Sequence, residues 1–199
     1  MTRHRVLRVA AAVVLLTAAA AAATAAAAAT AATATAITAP SWPAPPPAEV
    51  PAAAHRAGLE ILGEEGTVLH VHVHLDVFVD GRPVTVPAGI GIDPVRRLYS
   101  ELHTHDTSGV IHVEAPRQAV FTLGQFMAEW GHPIPSARLG APAASPRRAV
   151  TVWLDGRLAE GDPAAVPLRE HDEIALVLGG ALPSAPLPAD YDWSRRPGL

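Results

Sequence analysis

The sequence predicts an α+β domain, mainly antiparallel β-sheet with one short helix. Three observations carry that prediction. Apolar and polar residues alternate from Leu69 to Asp76, while apolar residues recur at helical spacing between Phe121 and Gly131. Two Asp-Gly pairs, Asp80-Gly81 and Asp155-Gly156, each close an extended run in the manner of a hairpin turn.

Taken in order, the chain opens on Arg3, His4, Arg5 and Arg8, and then carries no charged side chain from Val9 to Ala48. A basic start, an apolar Ala-rich stretch and many small residues predict a secretory signal or an N-terminal membrane anchor over residues 1–39. Alanine is weakly hydrophobic and six threonines dilute the stretch, so cleavage is the expectation and a retained anchor the alternative. Both place the rest of the chain outside the cytoplasm, secreted or held at the membrane. Residues 40–54, rich in Pro and Ala, read as an extended spacer. A short helix is expected over Ala52–Leu62, ended by Gly63.

The folded domain is expected over residues 55–180. In the first long strand Leu69, Val71, Val73, Leu75, Val77 and Val79 form an apolar face, and His70, His72, His74 and Asp76 form a polar one. Pro83–Val86 returns as a short or edge strand. Arg97–His105 and Val110–Ala115 form a second hairpin, stopped by Pro116. Thr122 and Gln125 have capping-box spacing, and Gly131 closes the helix they open. Leu123, Phe126, Met127 and Trp130 then share a face that belongs to the core. Ser136–Pro146 is a loop, Ala149–Leu154 a strand, and Ile174–Leu178 a final, central strand. The Pro-rich tail, residues 181–199, either wraps the surface or is disordered. From residue 98 onward the order ββαββ resembles β-grasp domains with an extra N-terminal hairpin; a β-sandwich is the alternative.

The chain of 199 residues has no cysteine, which excludes disulfides, thiolate metal ligands and a Cys nucleophile. Its formal charge is −4, and loss of Arg3, Arg5 and Arg8 with a leader would make it −7. A net-acidic domain with few aromatic residues is not expected to bind nucleic acid. Contact with a membrane is expected only through the N-terminal segment, if uncleaved.

Six of the ten histidines fall in two extended segments, His70–His74 and His103–His112. In a strand, residues i and i+2 lie on one face about 7 Å apart, so His-x-His can place two imidazoles on one metal. If His103 lies opposite His112, Glu101 lies opposite Glu114 and His105 opposite Val110. One face then carries Glu101, His103, His105, His112 and Glu114, and the other Leu102, Thr104, Ile111 and Val113. A one-residue slip mixes the two sets, so this register is the expected one. The turn Asp106-Thr107-Ser108-Gly109 sets it. The expected metal ligands are His72, His74, His103, His105, His112 and Glu114. Imidazole and carboxylate donors suit a divalent ion, Zn or Cu before others. His70 is expected to be solvent-exposed, and His132 and His171 to be structural or surface residues.

The segments His72-Val73-His74-Leu75, Val79-Asp80-Gly81, Pro87–Gly91, Leu102–Gly109, Ile111–Glu114 and Phe121–Phe126 together resemble an uncharacterised family of exported or membrane-anchored prokaryotic proteins. The resemblance implies an extracytoplasmic location and no particular activity. The surplus of ligands and the lack of a nucleophile motif favour a metal-binding domain. One alternative is a zinc enzyme with three histidines on the metal and Glu101 or Glu114 as general base. Another is a structural or interaction domain at the cell surface.

Overall fold

The computed structural model describes residues 41–135 and 149–195. The predicted leader, the predicted loop Ser136–Pro146 and the end of the tail lie outside the described residues.

A 3-10 turn, Pro47–Glu49, leads into helix α1, Val50–Ala57, which buries Val50, Ala53 and Ala54. The helix ends before the expected Gly63. Gly58 takes the left-handed conformation (φ 72°), and Leu59 N–H returns to the Ala54 carbonyl at 2.9 Å, so the chain is capped one turn early. The strands follow as β1 (Ile61–Leu62), β2 (Leu69–Val79), β3 (Arg82–Val84), β4 (Ile92–Asp93), β5 (Leu98–Ser100), β6 (Leu102–His103) and β7 (Val110–Ala115). After helix α2 (Leu123–Glu129) come β8 (Val150–Leu154), β9 (Arg157–Leu158) and β10 (Glu173–Leu178).

The main sheet has the order β6-β7-β2-β10-β8-β9, with β3 also paired to β2, and a small sheet has the order β1-β5-β4. Among the described residues every pairing is antiparallel except the central one, β2 with β10. The fold is therefore α+β and mainly antiparallel, as the alternation predicts. Its β-grasp likeness begins earlier in the chain than residue 98, because the long strand β2 is itself the first strand of the ββαββ order. The extra element is the excursion from β3 to β6. Among the described residues no β-sandwich forms: one sheet holds the long strands, and the other has three short ones.

Both Asp-Gly turns have positive φ at their two central residues (Asp80 48°, Gly81 77°; Asp155 50°, Gly156 73°), which matches the right-handed twist of the strands they join. The expected continuous strand Arg97–His105 is broken. Its first part, β5, pairs with β1 and β4, and its second, β6, with β7. Glu101 stands at the break, fully buried, where one carboxylate oxygen accepts the Glu60 N–H at 3.0 Å and the other meets the Arg117 guanidinium.

Helix α2 opens with the predicted capping box: Gln125 N–H donates to Thr122 Oγ1 at 3.3 Å and Thr122 N–H to Gln125 Oε1 at 3.0 Å. Leu123, Phe126, Met127 and Trp130 all enter the core. Thr122→Ala leaves a helix donor without its partner and is expected to cost about 1 kcal/mol in urea unfolding.

The segment expected to be a spacer is docked. The Trp42 ring stacks on His132 (3.9 Å between centroids) and meets Trp130 edge-on (5.5 Å). The Trp130 indole N–H points at the Trp42 and Pro43 carbonyls, both at 3.3 Å. A buried indole needs an acceptor, and a proline-rich segment, poor in N–H groups, still offers carbonyls. The described part of the C-terminal tail also returns to the domain, with Tyr191 stacked on His74 at 4.0 Å and Trp193 on His171 at 4.5 Å.

Candidate metal centre

Because β7 lies between β6 and β2, the register aligns a histidine on each of three neighbouring strands. His103 is paired with His112, and His112 with His72. Leu102 pairs with Val113 and Val73 with Ile111, so the apolar residues keep to the opposite face. All four are fully buried in the core cluster.

His105 extends the row beyond β6. Its ring lies 4.9 Å from that of His103 and 4.5 Å from that of His112. His70, one step along β2, pairs with Glu114. Glu114 Oε1 forms the hub, 3.1 Å from His112 Nδ1, 3.2 Å from His70 Nε2 and 3.9 Å from His103 Nε2. Burial alone would raise the Glu114 carboxyl, but the hydrogen bond from His112 and the charges of the surrounding histidines hold it below the ordinary value.

Two sets of four donors result, each with its ligand atoms within 4.8 Å of one another. One is His103, His105, His112 and Glu114; the other is His70, His72, His112 and Glu114. They share His112 and Glu114.

The protonation of these side chains suits a metal. His103 is wholly buried, and its Nδ1 lies 3.0 Å from the Ser100 carbonyl oxygen. A carbonyl can only accept, so Nδ1 carries the proton and Nε2 presents a lone pair. That Nε2 is buried without a hydrogen-bond partner, as is His72 Nε2. A buried ring nitrogen with an unpartnered lone pair is a donor that a cation would satisfy, and the Ser100 carbonyl is the kind of outer partner that orients a ligating imidazole.

Burial, reinforced by neighbouring histidines, holds His72 down at about 4, and burial likewise holds His103 at about 4. Both are neutral at pH 7. Their unfolded value is about 6.5. The unfolded state thus binds more protons between pH 4 and 6.5, and their contribution to stability is complete above that window and lost as pH falls through it. Without metal, the denaturation midpoint is expected to drop between pH 7 and pH 5, checked by urea titration at each pH.

His74 is set apart. It belongs with Asp76 and Glu173, and both of its ring nitrogens are engaged. Nδ1 lies 2.7 Å from Glu173 Oε2, and Nε2 lies 2.8 Å from the Ser108 carbonyl oxygen, to which it must donate. Burial would lower it, but the hydrogen bond and charge of Glu173, with Asp76 and the Ser108 carbonyl, outweigh burial and raise it. The turn that sets the hairpin register is packed against this pair. A Cβ on Gly109 (φ 89°) would come within 2.9 Å of His74 Nε2 and 2.7 Å of the Leu75 carbonyl.

The structure thus brings His103, His105, His112 and Glu114 together, adds His72 through the shared pair, and places His74 elsewhere. Sequence parity put Glu101 on this face as well, but its carboxylate turns to Arg117 and Glu60. His70 is exposed, as expected, and nevertheless reaches Glu114. Glu65 was not anticipated: its Oε1 lies 3.3 Å from His105 Nε2 and 3.8 Å from His103 Nε2. Its signal in the sequence is the acidic Gly63-Glu64-Glu65-Gly66 loop. That loop is drawn over the site because Gly66 sits where a Cβ would lie 2.4 Å from the Ala115 backbone.

Fold and side chains together define a β-rich domain with buried His/Glu groups able to hold a metal ion. No protein-family model, no curated protein and no solved structure matches the chain. Among the described residues no helix is long and apolar enough to cross a membrane.

Proposed function

We propose that this protein is an extracytoplasmic domain that binds a divalent metal ion, Zn(II) or Cu(II), through His103, His105, His112 and Glu114. The observation that carries the proposal is the buried, unpartnered Nε2 of His103, whose tautomer is fixed by the Ser100 carbonyl. Three imidazoles and one carboxylate fill a tetrahedral shell, and the absence of cysteine removes softer alternatives.

At this ion the filled shell favours holding or delivering it over turning over a substrate there. The enzyme alternative needs a free carboxylate beside an open position, and Glu101 is already committed to Arg117 and Glu60. The extracytoplasmic location rests on the basic and apolar N-terminal composition, and the likeness to exported or membrane-anchored prokaryotic proteins accords with it.

The test is elemental analysis of the purified full-length protein after dialysis against metal-free buffer. Zinc or copper in at least equimolar amount, removed by a strong chelator, is expected. Protein that stays metal-free after incubation with either ion would rule the proposal out.

A further inference from the structure

We infer that the centre takes two divalent ions rather than one, with Glu114 as the ligand common to both. The inference rests on the proposed metal site and extends it to His70 and His72.

Six side chains converge on the row, whereas a tetrahedral ion uses four donors. The pairs His103/His105 and His70/His72 fall in different donor sets, on either side of the strand that carries His112 and Glu114. Strands β6 and β2 flank β7, so their backbones are separated by about two strand spacings, on the order of 9–10 Å. Two centres side by side fit that span.

Each side also has its own buried ring nitrogen in need of a partner, His103 Nε2 on one and His72 Nε2 on the other. A single ion in the first set would leave His72 Nε2 orphaned. One in the second would leave His103 Nε2 orphaned. His72 is 4 % exposed and His103 0 %, so water does not reach either nitrogen freely.

The hub distances agree. Two ligands bonded at about 2.0 Å to one tetrahedral ion lie about 3.3 Å apart. Glu114 Oε1 is 3.2 Å from His70 Nε2 and 3.1 Å from His112 Nδ1, which is the edge length a common ion on either side requires. The first ion has His103, His105, His112 and Glu114. The second has His70, His72 and Glu114, and a fourth position for water on the side of the half-exposed His70.

One further acid stands near each end: Glu65 beside His105, and Glu170, whose Oε2 accepts the His72 N–H at 3.1 Å. They add negative charge on the flanks of a centre that would otherwise hold four positive charges against one carboxylate.

The experiment is zinc titration of the metal-free full-length protein by calorimetry, with bound zinc then measured after gel filtration. Two equivalents are expected for the wild type. One equivalent is expected for the His70→Ala/His72→Ala variant, with circular dichroism showing that it is folded. One equivalent in the wild type overturns this inference and leaves the single-site proposal standing; none overturns both. Two equivalents retained by the folded double variant place the second ion elsewhere and overturn it too.

Sharing of Glu114 is read separately by loading two equivalents of Cu(II) and recording the electron paramagnetic resonance spectrum. Bridged ions give reduced intensity and a half-field transition. Full intensity from two independent ions overturns the shared carboxylate. The wild-type measurements stand even if a variant fails to fold.

Discussion

His74→Ala is expected to lower the unfolding free energy by about 3–5 kcal/mol, the usual consequence of removing one partner from a buried ionic pair. The substitution strips Glu173, 1 % exposed, of the imidazole at 2.7 Å that satisfies one of its oxygens. The other oxygen, Oε1, already lacks a partner, so the buried carboxyl group would be left beside Asp76, another acid, with no cationic partner. The Ser108 carbonyl would lose its donor and Tyr191 its stacking surface. At about 2–4 °C per kcal/mol for a domain of this size, the melting temperature falls by on the order of 6–20 °C. The double replacement His74→Leu/Glu173→Leu should recover much of the loss, because it removes both polar groups and leaves neither stranded. A loss below 1 kcal/mol in the single variant would show that the pair does not act as a buried unit. Metal affinity should survive in His74→Ala wherever the protein is folded, since His74 lies outside both donor sets that share Glu114.

The second large effect is metal-dependent stability. A ligand that binds only the folded state stabilises it by about 2.7 kcal/mol at a free concentration one hundred times its dissociation constant. Zinc should therefore raise the denaturation midpoint of the wild-type protein substantially, and chelation should return it to the metal-free value. His103→Ala should abolish most of that increment. Because His103 also packs in the core, each variant is compared with and without zinc, so that the difference reports the ion and not the lost side chain. An unchanged increment would move the ion away from this row. Glu114→Gln supplies the complementary test: it keeps the shape, removes the charge, and is expected to weaken both donor sets at once.

The parts of the site legible in the sequence are those governed by period and turn. Alternation places His103 and His105 on one face, and the choice of register adds His112. The turn Asp106–Gly109, in which Ser108 N–H bonds to Asp106 Oδ1 at 2.8 Å, sets His103 opposite His112 as the register argument required. The capping box at Thr122 was equally plain, since both of its hydrogen bonds are local. The rest depended on contacts that leave no periodic trace. Glu173 reaches His74 through a parallel pairing 99 residues distant, which no hairpin rule anticipates. The break at Glu101 interrupts a run that alternates correctly on both sides of it. Trp42 reads as part of a spacer because proline dominates its neighbourhood, and the contacts that hold it, with the Trp130 indole 88 residues later and with the His132 ring, leave no local trace.

The central parallel pairing also constrains when this fold can form. β2 has β7 on one side and β10 on the other, and β10 is made about a hundred residues after β2. Until Glu173–Leu178 has been synthesised, β2 lacks its parallel neighbour and β8 has no strand to join it to the sheet. Contacts so distant along the chain slow folding, because the loop between them must close before they contribute. A nascent chain ending before residue 173 should therefore remain open to proteases. Protection should arise in one late step when the final strand is added, and ribosome-arrested chains of increasing length would reveal it.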